Sequence, residues 1–198
     1  SMQEAVLGGD ATSSFFEPPI PEALEGGEVE ESRMLGVFSW GGSRVAAAVA
    51  TADDSAVRFE EGSNPAKIST VNVARIVLTP VPERFRARLA GKRKGILLRN
   101  GDFIEGELQE LKTDWLTINS VLFGIKVYGR GEVIALMLGK VSDKPVRSAK
   151  YEVRLENGSL LFARRFILEK GSVVVDDPTV GKVSIPLAEL EELRAGKR

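Results

Sequence analysis

The stretch that decides the fold is "LLRNGDFIEGELQELKTDWLTI", Leu97 to Ile118. Apolar-rich runs flank the Asn100-Gly101 pair, which is a strong hairpin signal because a two-residue turn that matches strand twist needs positive φ at its centre. A second polar turn, at residues 112–114, leads into a short run in which Leu116 and Ile118 alternate with other residues, as in a half-buried strand. The stretch therefore predicts one strand, a turn and two more strands.

The same outline occurs three times along the chain. The turn dipeptides are Gly41-Gly42, Asn100-Gly101 and Asn157-Gly158, at spacings of 59 and 57 residues. A nearly constant interval of this kind is typical of repeated structural units. Each turn is followed by a second polar turn, a short strand, a fourth segment and a closing apolar stretch. We therefore expect about five short elements per unit.

The closing stretch of the third unit departs from this pattern. Leu187, Leu190 and Leu193 are three residues apart, with glutamates between them. This spacing is helical rather than strand-like, so it predicts a short helix or a terminal helical turn at the C-terminal end.

These patterns predict an all-β protein of three tandem small barrel-like or rolled-sheet units, with an extended N-terminal arm and a short C-terminal helix. Units of this size, without disulfide or metal, are marginal as independent folds, so we expect them to lean on one another or on a second chain. The predicted parts are an arm (residues 1–33), β-unit 1 (34–80), a basic linker (81–94), β-unit 2 (95–141), a second linker (142–150) and β-unit 3 (151–198).

The composition excludes several kinds of chemistry. The 198 residues include no cysteine and no histidine, which excludes disulfides, thiolate metal sites and cysteine nucleophiles and removes the usual triad base and the commonest zinc ligand. The sequence contains no Walker-type phosphate loop and no calcium-loop spacing. We therefore predict no catalytic residue, no metal site and no cofactor. An enzyme that uses only carboxylates, Lys, Ser or Tyr stays open, and it would need a deep pocket.

Charge is segregated although the net charge is only −1. Residues 1–33 carry eight acids against one arginine, whereas residues 84–94 carry six bases and no acid. Such a basic run can bind phosphates or an anionic surface; the alternatives are a solvated linker and a linker paired with the acidic arm. The candidate anion-binding residues are Arg84, Arg86, Arg88, Lys92, Arg93 and Lys94.

The N-terminal arm is rich in proline and glutamate and has the composition of a disordered segment. Phe15, Phe16 and Ile20 are the expected anchors by which it would dock on a unit or on a neighbouring chain. Ser1-Met2 has the form of an expression scar, so we expect a segment of a longer protein whose true beginning is missing. No run reaches the roughly 18 apolar residues of a spanning helix, so we expect no membrane insertion by this segment.

The second unit is marked by Asn100, Gly101, Asp102, Gly106 and Gly124. Through these residues it resembles the small five-stranded barrel of Sm-like proteins, and also the "NGD…G" β-repeats of multi-module secreted or envelope proteins of some bacteria. In units 1 and 3, Ala47 and Ala163 stand where unit 2 has its mid-strand glycine. The Sm-like resemblance implies RNA binding and ring assembly through strand edges, but the matching nucleotide-binding motif is absent. The resemblance to the bacterial repeats implies a bacterial protein, secreted or in the cell envelope rather than cytoplasmic.

From these observations we predict a non-catalytic structural or protein-interaction module. Unpaired amides and carbonyls at the edges of short strands can accept another strand, so self-association through these edges and through the arm is the expected route. The partner would be another protein or a second copy. The alternative is an Sm-like protein that binds nucleic acid or another anionic polymer with residues 84–94.

Overall fold

A computed structural model describes residues 35–90, 92–142 and 144–196. Strands make up 52% of the structure, and the one α-helix among these residues is the single turn Arg86–Leu89. The predicted all-β class is confirmed. The predicted arm, with Phe15, Phe16 and Ile20, lies outside the described residues.

The elements are given within the predicted bounds of the three units. Unit 1 contains β1 Gly36–Ser39, β2 Arg44–Val45, β3 Val49–Ala52, β4 Ala56–Phe59, β5 Lys67–Ser69, the 3-10 turn Thr70–Asn72 and β6 Val73–Val77. The first linker contains the 3-10 turn Glu83–Phe85 and the helix Arg86–Leu89. Unit 2 contains β7 Gly95–Leu98, β8 Phe103–Leu111, β9 Trp115–Ser120, β10 Gly124–Gly129, the 3-10 turn Arg130–Glu132 and β11 Val133–Met137. Unit 3 contains β12 Tyr151–Leu155, β13 Leu160–Ala163, β14 Arg165–Glu169, β15 Ser172–Asp177, β16 Gly181–Pro186, the 3-10 turn Leu187–Glu189 and β17 Leu190–Ala195.

The same succession of antiparallel pairings occurs in all three units. The closing strand pairs with the first strand, as β6 with β1, β11 with β7 and β17 with β12. In unit 2 the long β8 pairs first with β7 and then with β9. In unit 1 two shorter strands, β2 and β3, take the place of β8. In unit 3 the corresponding two strands are β13 and β14. The described strands lie in one 14-stranded and one 3-stranded sheet, and no sheet closes into a barrel. Barrel-like units are therefore not confirmed.

The hairpin turns are one residue longer than the predicted two-residue form. The Gly101 N–H donates to the Leu98 carbonyl and the Leu98 N–H donates to the Asp102 carbonyl, each at 2.9 Å. Gly101 has φ 92°, and no described residue other than glycine has positive φ. This is the three-residue loop in which a type I turn ends in a left-handed glycine. Gly42 and Gly158 occupy the same place, with φ 87° and 90°.

The C-terminal helix predicted from the leucine spacing is wrong, apart from the single 3-10 turn Leu187–Glu189. Residues Leu190–Ala195 form β17, which pairs with β12. A shift in register places Leu190 opposite Leu155 and Leu193 opposite Val153. Because a bulge adds one residue to a strand, it converts the strand period of two into a spacing of three. The spacing of Leu190 and Leu193 therefore comes from a bulged strand, whereas Leu187 precedes the strand in the 3-10 turn.

In the described part of the chain, two hydrophobic cores hold the units together. The main core draws on all three units, with Ile76, Leu136 and Val153 almost fully buried in it. The second core lies where β6 and β11 meet, and the first linker covers it with Phe85 and Leu89. The linker is thus part of the folded structure, and the units depend on one another as expected for domains this small.

Units 1 and 2 meet around a local twofold axis. Ile76 of β6 lies opposite Leu136 of β11, and each is the fourth residue of its closing strand. The Leu78 N–H donates to the Ile134 carbonyl and the Leu138 N–H donates to the Ala74 carbonyl, both at 2.8 Å. These reciprocal bonds show that equivalent strand edges face each other.

Units 1 and 3 meet around a second local twofold axis, through β2 and β13. Arg44 lies opposite Leu160, and each is three residues after the first residue of its hairpin dipeptide. Their equivalent neighbours bond reciprocally. The Ala46 N–H donates to Ser159 Oγ at 2.9 Å, and the Phe162 N–H donates to Ser43 Oγ at 3.2 Å.

Candidate functional site

Among the described residues, the largest group of exposed apolar side chains lies on the β9–β10 hairpin of unit 2. Isolated exposed apolar residues are normal, but contiguous ones mark interaction sites. We call this group the hairpin surface. Its members and exposed fractions are Trp115 39%, Val121 75%, Leu122 82%, Phe123 60%, Ile125 72% and Val127 66%.

The alternation of side chains along β10 produces this surface. Lys126 lies opposite the buried Ile118, so Lys126 faces the inner side of the hairpin. Since successive side chains of a strand point to opposite faces, Ile125 and Val127 both face outward. The outer face of β10 is therefore apolar and its inner face carries the lysine.

The corresponding strands of the other units have the opposite arrangement. In β16, the buried Val183 and Ile185 alternate with the exposed Lys182 and Ser184. In β5, the buried Ile68 lies between two exposed polar residues. Burial of one aliphatic side chain gains roughly 1.5–3 kcal/mol. Ile125 and Val127 of unit 2 thus lack this stabilisation in the single chain, and a partner surface that buries them would supply it.

The outer edge of β10 is also open. Among the described residues β10 pairs only with β9, so its outer amides and carbonyls have no strand partner. Proteins protect such edges with proline, charge or short length. The equivalent β16 ends in Pro186 and β5 has three residues, whereas β10 has six residues and one charged side chain, Lys126.

A buried polar cluster joins units 1 and 3. Asp177 accepts hydrogen bonds from the N–H groups of Thr179 at 2.8 Å and of Val180 and Phe162 at 3.0 Å, and from the Ser43 hydroxyl. Serine beside aspartate can suggest a nucleophile, but these side chains are 1–2% exposed and a substrate has no access to them. The cluster is a structural junction. Its members are Ser39, Ser43, Asp177 and Thr179.

The candidate anion-binding residues lie along the linker that covers the second core, and most of them are engaged within the chain. Arg86 is 2.8 Å from Glu83 and Arg93 is 2.9 Å from Glu105. Lys94 is 3.6 Å from a further carboxylate, that of Glu107.

The remaining cations of this segment differ in their surroundings. The Arg88 guanidinium donates to the Gly101 carbonyl, and that of Arg84 lies 4.6 Å from the Phe85 ring centre. Lys92 is exposed. The predicted residues therefore lie along one linker, but most of their cationic groups are already bonded to carboxylates or to a carbonyl of the same chain. Anion binding by this segment stays a prediction.

The described part of the chain contains no group of three or more acidic side chains placed to hold a metal ion. None of its helices is long and apolar enough to cross a membrane. The predicted turn residues lie at the three hairpin corners, away from the hairpin surface.

Family models, curated proteins and solved structures contain no match to this chain. The function is therefore inferred from geometry. Sequence reasoning missed the hairpin surface, although a signal was present: unit 2 has "SVLFGIKV" where unit 3 has "DPTVGKVS". Comparison of these two segments shows apolar residues at positions that are polar in the sister unit.

Proposed function

We propose that this protein is a non-catalytic structural module that self-associates through exposed strand edges, with the hairpin surface as its contact. The observation that carries the proposal is the outward pair Ile125 and Val127 on an open edge strand. Edge backbone groups supply affinity when a strand is added to a sheet, and the alternating side chains supply specificity. The hairpin offers both on one face.

The grooves favour this function over catalysis. One groove of about 520 Å³ between units 1 and 2 is lined by Trp40, Asp54, Lys94 and Glu107. Lys94 and Glu107 are ion-paired, and the whole chain lacks histidine and cysteine. A general base needs a proton to take within hydrogen-bond reach in a cleft that holds substrate. Besides the ion pair, Asp54 is the only ionisable side chain among the described residues that line this open groove.

We also propose that the units are three copies of one rolled sheet related to the Sm-like barrel. The support is the recurrent pairing of closing, first and second strands. The nucleic-acid alternative has less support, because most cations of residues 84–94 are engaged by groups of the same chain. Gel shift with generic nucleic acid is the direct test of that alternative.

The test of self-association is the solution mass by light scattering over a range of concentrations. We expect a mass approaching twice the 21.5 kDa of the chain. The double variant Ile125→Lys/Val127→Ser places the residues of β16 on β10 and should return the mass to that of the monomer. Val71→Ser is the matched control, because Val71 is 80% exposed but lies outside the hairpin surface.

A chain that is monomeric at every concentration contradicts the proposal. So does an association that the double variant leaves intact. A lower mass for Val71→Ser as well would show that the effect is not specific to the hairpin surface.

A further inference from the structure

We infer that unit 2 of a second copy docks on unit 2 in the geometry by which unit 3 docks on unit 1, about a twofold axis through Phe103. This inference rests on the proposed function and adds the partner surface and its register. The internal contact between units 1 and 3 serves as the template. Unit 2 carries the matching elements; among the described residues, unit 1 pairs with its β8 only at Leu111, eight residues beyond Phe103.

The template has two parts. At its centre Arg44 pairs with Leu160 across the local twofold axis. Beside that centre, the hairpin tip of unit 3 lies against unit 1, where Thr179 is 2% exposed and its hydroxyl is 2.7 Å from Ser39 Oγ. Strand pairing and tip docking thus occur together.

In unit 2 neither part has a partner from another unit among the described residues. Phe103 is three residues after Asn100, so it corresponds to Arg44 and Leu160. Phe103 pairs with β7, and the described residues provide no strand on its other side. The tip Val121–Phe123 corresponds to the unit 3 tip 178–180, because each is the three-residue link between the third and fourth strands.

The substitutions at this tip make it suited to an apolar partner. Leu122 corresponds to Thr179, and Leu98 corresponds to Ser39, since each of the latter two ends the first strand of its unit. The polar contact of the template therefore becomes a contact between two leucines. At this place one copy would bury Leu122 against the other's Leu98.

The surface of unit 2 that would receive this tip is also more apolar than the corresponding surface of unit 1. In the template, Ala56 and Lys67 of unit 1 line the groove that borders the docked tip. Their counterparts in unit 2 are Trp115, which begins the third strand, and Val127, which is three residues before the 3-10 turn. Docking tip and receiving surface are thus both apolar in unit 2. The surface is self-complementary, as a twofold interface requires.

The partner is a second unit 2 because the corresponding edges of units 1 and 3 already pair with each other. The first linker borders the contact, with the Arg93 guanidinium 4.6 Å from the Phe103 ring centre, and a bordering linker is compatible with docking. The unit 1 corner shows this directly. There a linker residue, Val146, would lie 2.9 Å from a Cβ on Gly41, and unit 3 nevertheless docks at that corner. Phe85 approaches Gly101 at the unit 2 corner in the same way. The dimer would be a linear array in the order 3-1-2-2-1-3.

The test uses the absence of cysteine from the chain, because any disulfide of a single-cysteine variant must join two copies. The twofold axis places residue 103 opposite itself. Antiparallel partners have Cα atoms about 4.5–5.5 Å apart, which suits a disulfide. We expect Phe103→Cys to give a covalent dimer under mild oxidation. Glu105→Cys should not, because its two copies would be about 13 Å apart along the strands.

Two further variants complete the test. Arg44→Cys/Leu160→Cys is the positive control, because these residues pair within the chain and should form an intrachain disulfide. Leu122→Asp changes a side chain that is 82% exposed, so the monomer should still fold, and we expect it to weaken dimerisation at least tenfold. Circular dichroism of reduced Phe103→Cys verifies that this variant is folded.

The outcomes separate the two proposals. A dimer that needs Ile125 and Val127 but gives no Phe103→Cys crosslink, while the positive control forms its disulfide, contradicts this register and leaves the proposed function standing. Equal crosslinking by Glu105→Cys also contradicts it. A protein that is monomeric at every concentration contradicts both.

Discussion

Replacing Phe85 by alanine tests whether the basic linker is a structural part of the protein. Phe85 is 8% exposed in the second core, between the linker and the sheet formed by β6 and β11. Removal of a buried phenylalanine ring costs about 3–5 kcal/mol. Natural domains have total stabilities of roughly 5–15 kcal/mol, so this single change should remove a large part of the stability.

A double-mutant cycle with Gly101→Ala makes the test specific to the contact. A Cβ at Gly101 would be 2.6 Å from the Phe85 ring, and Gly101 has φ +92°. Alanine therefore carries a backbone cost of about 1–2 kcal/mol and a clash with the ring. In the Phe85→Ala background the clash disappears. We expect a coupling energy of about 0.5–3 kcal/mol between the two changes.

The assay is urea unfolding followed by the fluorescence of Trp40 and Trp115. With an m-value of about 2 kcal/mol/M, a loss of about 3–5 kcal/mol lowers the midpoint by roughly 1.5–2.5 M. Arg84→Ala is the matched control, because it removes only the cation that lies over the ring and should cost about 1 kcal/mol or less. Equal effects of Phe85→Ala and Arg84→Ala, or strictly additive costs in the cycle, would refute a packed linker.

Three further predictions concern the junctions between units and one ion pair. Asp177→Asn replaces a carboxylate that only accepts hydrogen bonds with an amide that also donates, so we expect a loss of roughly 1–3 kcal/mol, and an unchanged melting temperature would contradict the junction role. Arg130 donates to carbonyls of units 1 and 2 at 3.0 and 3.1 Å, so Arg130→Met should lower the urea midpoint more than Arg130→Lys does. Hydrogen bonds from Arg164, together with Arg165, hold the pKa of Asp176 below its ordinary value of 3.8. This carboxylate therefore adds stability above that value which is lost as the pH falls below about 4, and Asp176→Asn should flatten the acid side of a melting-temperature profile.

Local backbone requirements were predictable from the sequence. Gly42, Gly101 and Gly158 were recognisable as hairpin corners because a left-handed residue in a tight turn is nearly always glycine. The turn type was not predictable, because the same dipeptide fits a two-residue loop and a three-residue loop. The leucines at 187, 190 and 193 misled for a related reason. A bulge against β12 is a non-local feature, and its effect on spacing resembles a helical period.

By itself the sequence determined the strand-rich class, the three glycine-centred hairpin corners and the chemistry that the missing cysteine and histidine exclude, because these depend on short-range rules and composition. Only the tertiary structure decided that Phe85 is buried and that Ile125 and Val127 face outward. Because side chains alternate along a strand, the sequence shows which of them share a face, but it does not show which face packs against the core. That choice depends on how the units pack, and in this protein their packing leaves the apolar face of one hairpin open.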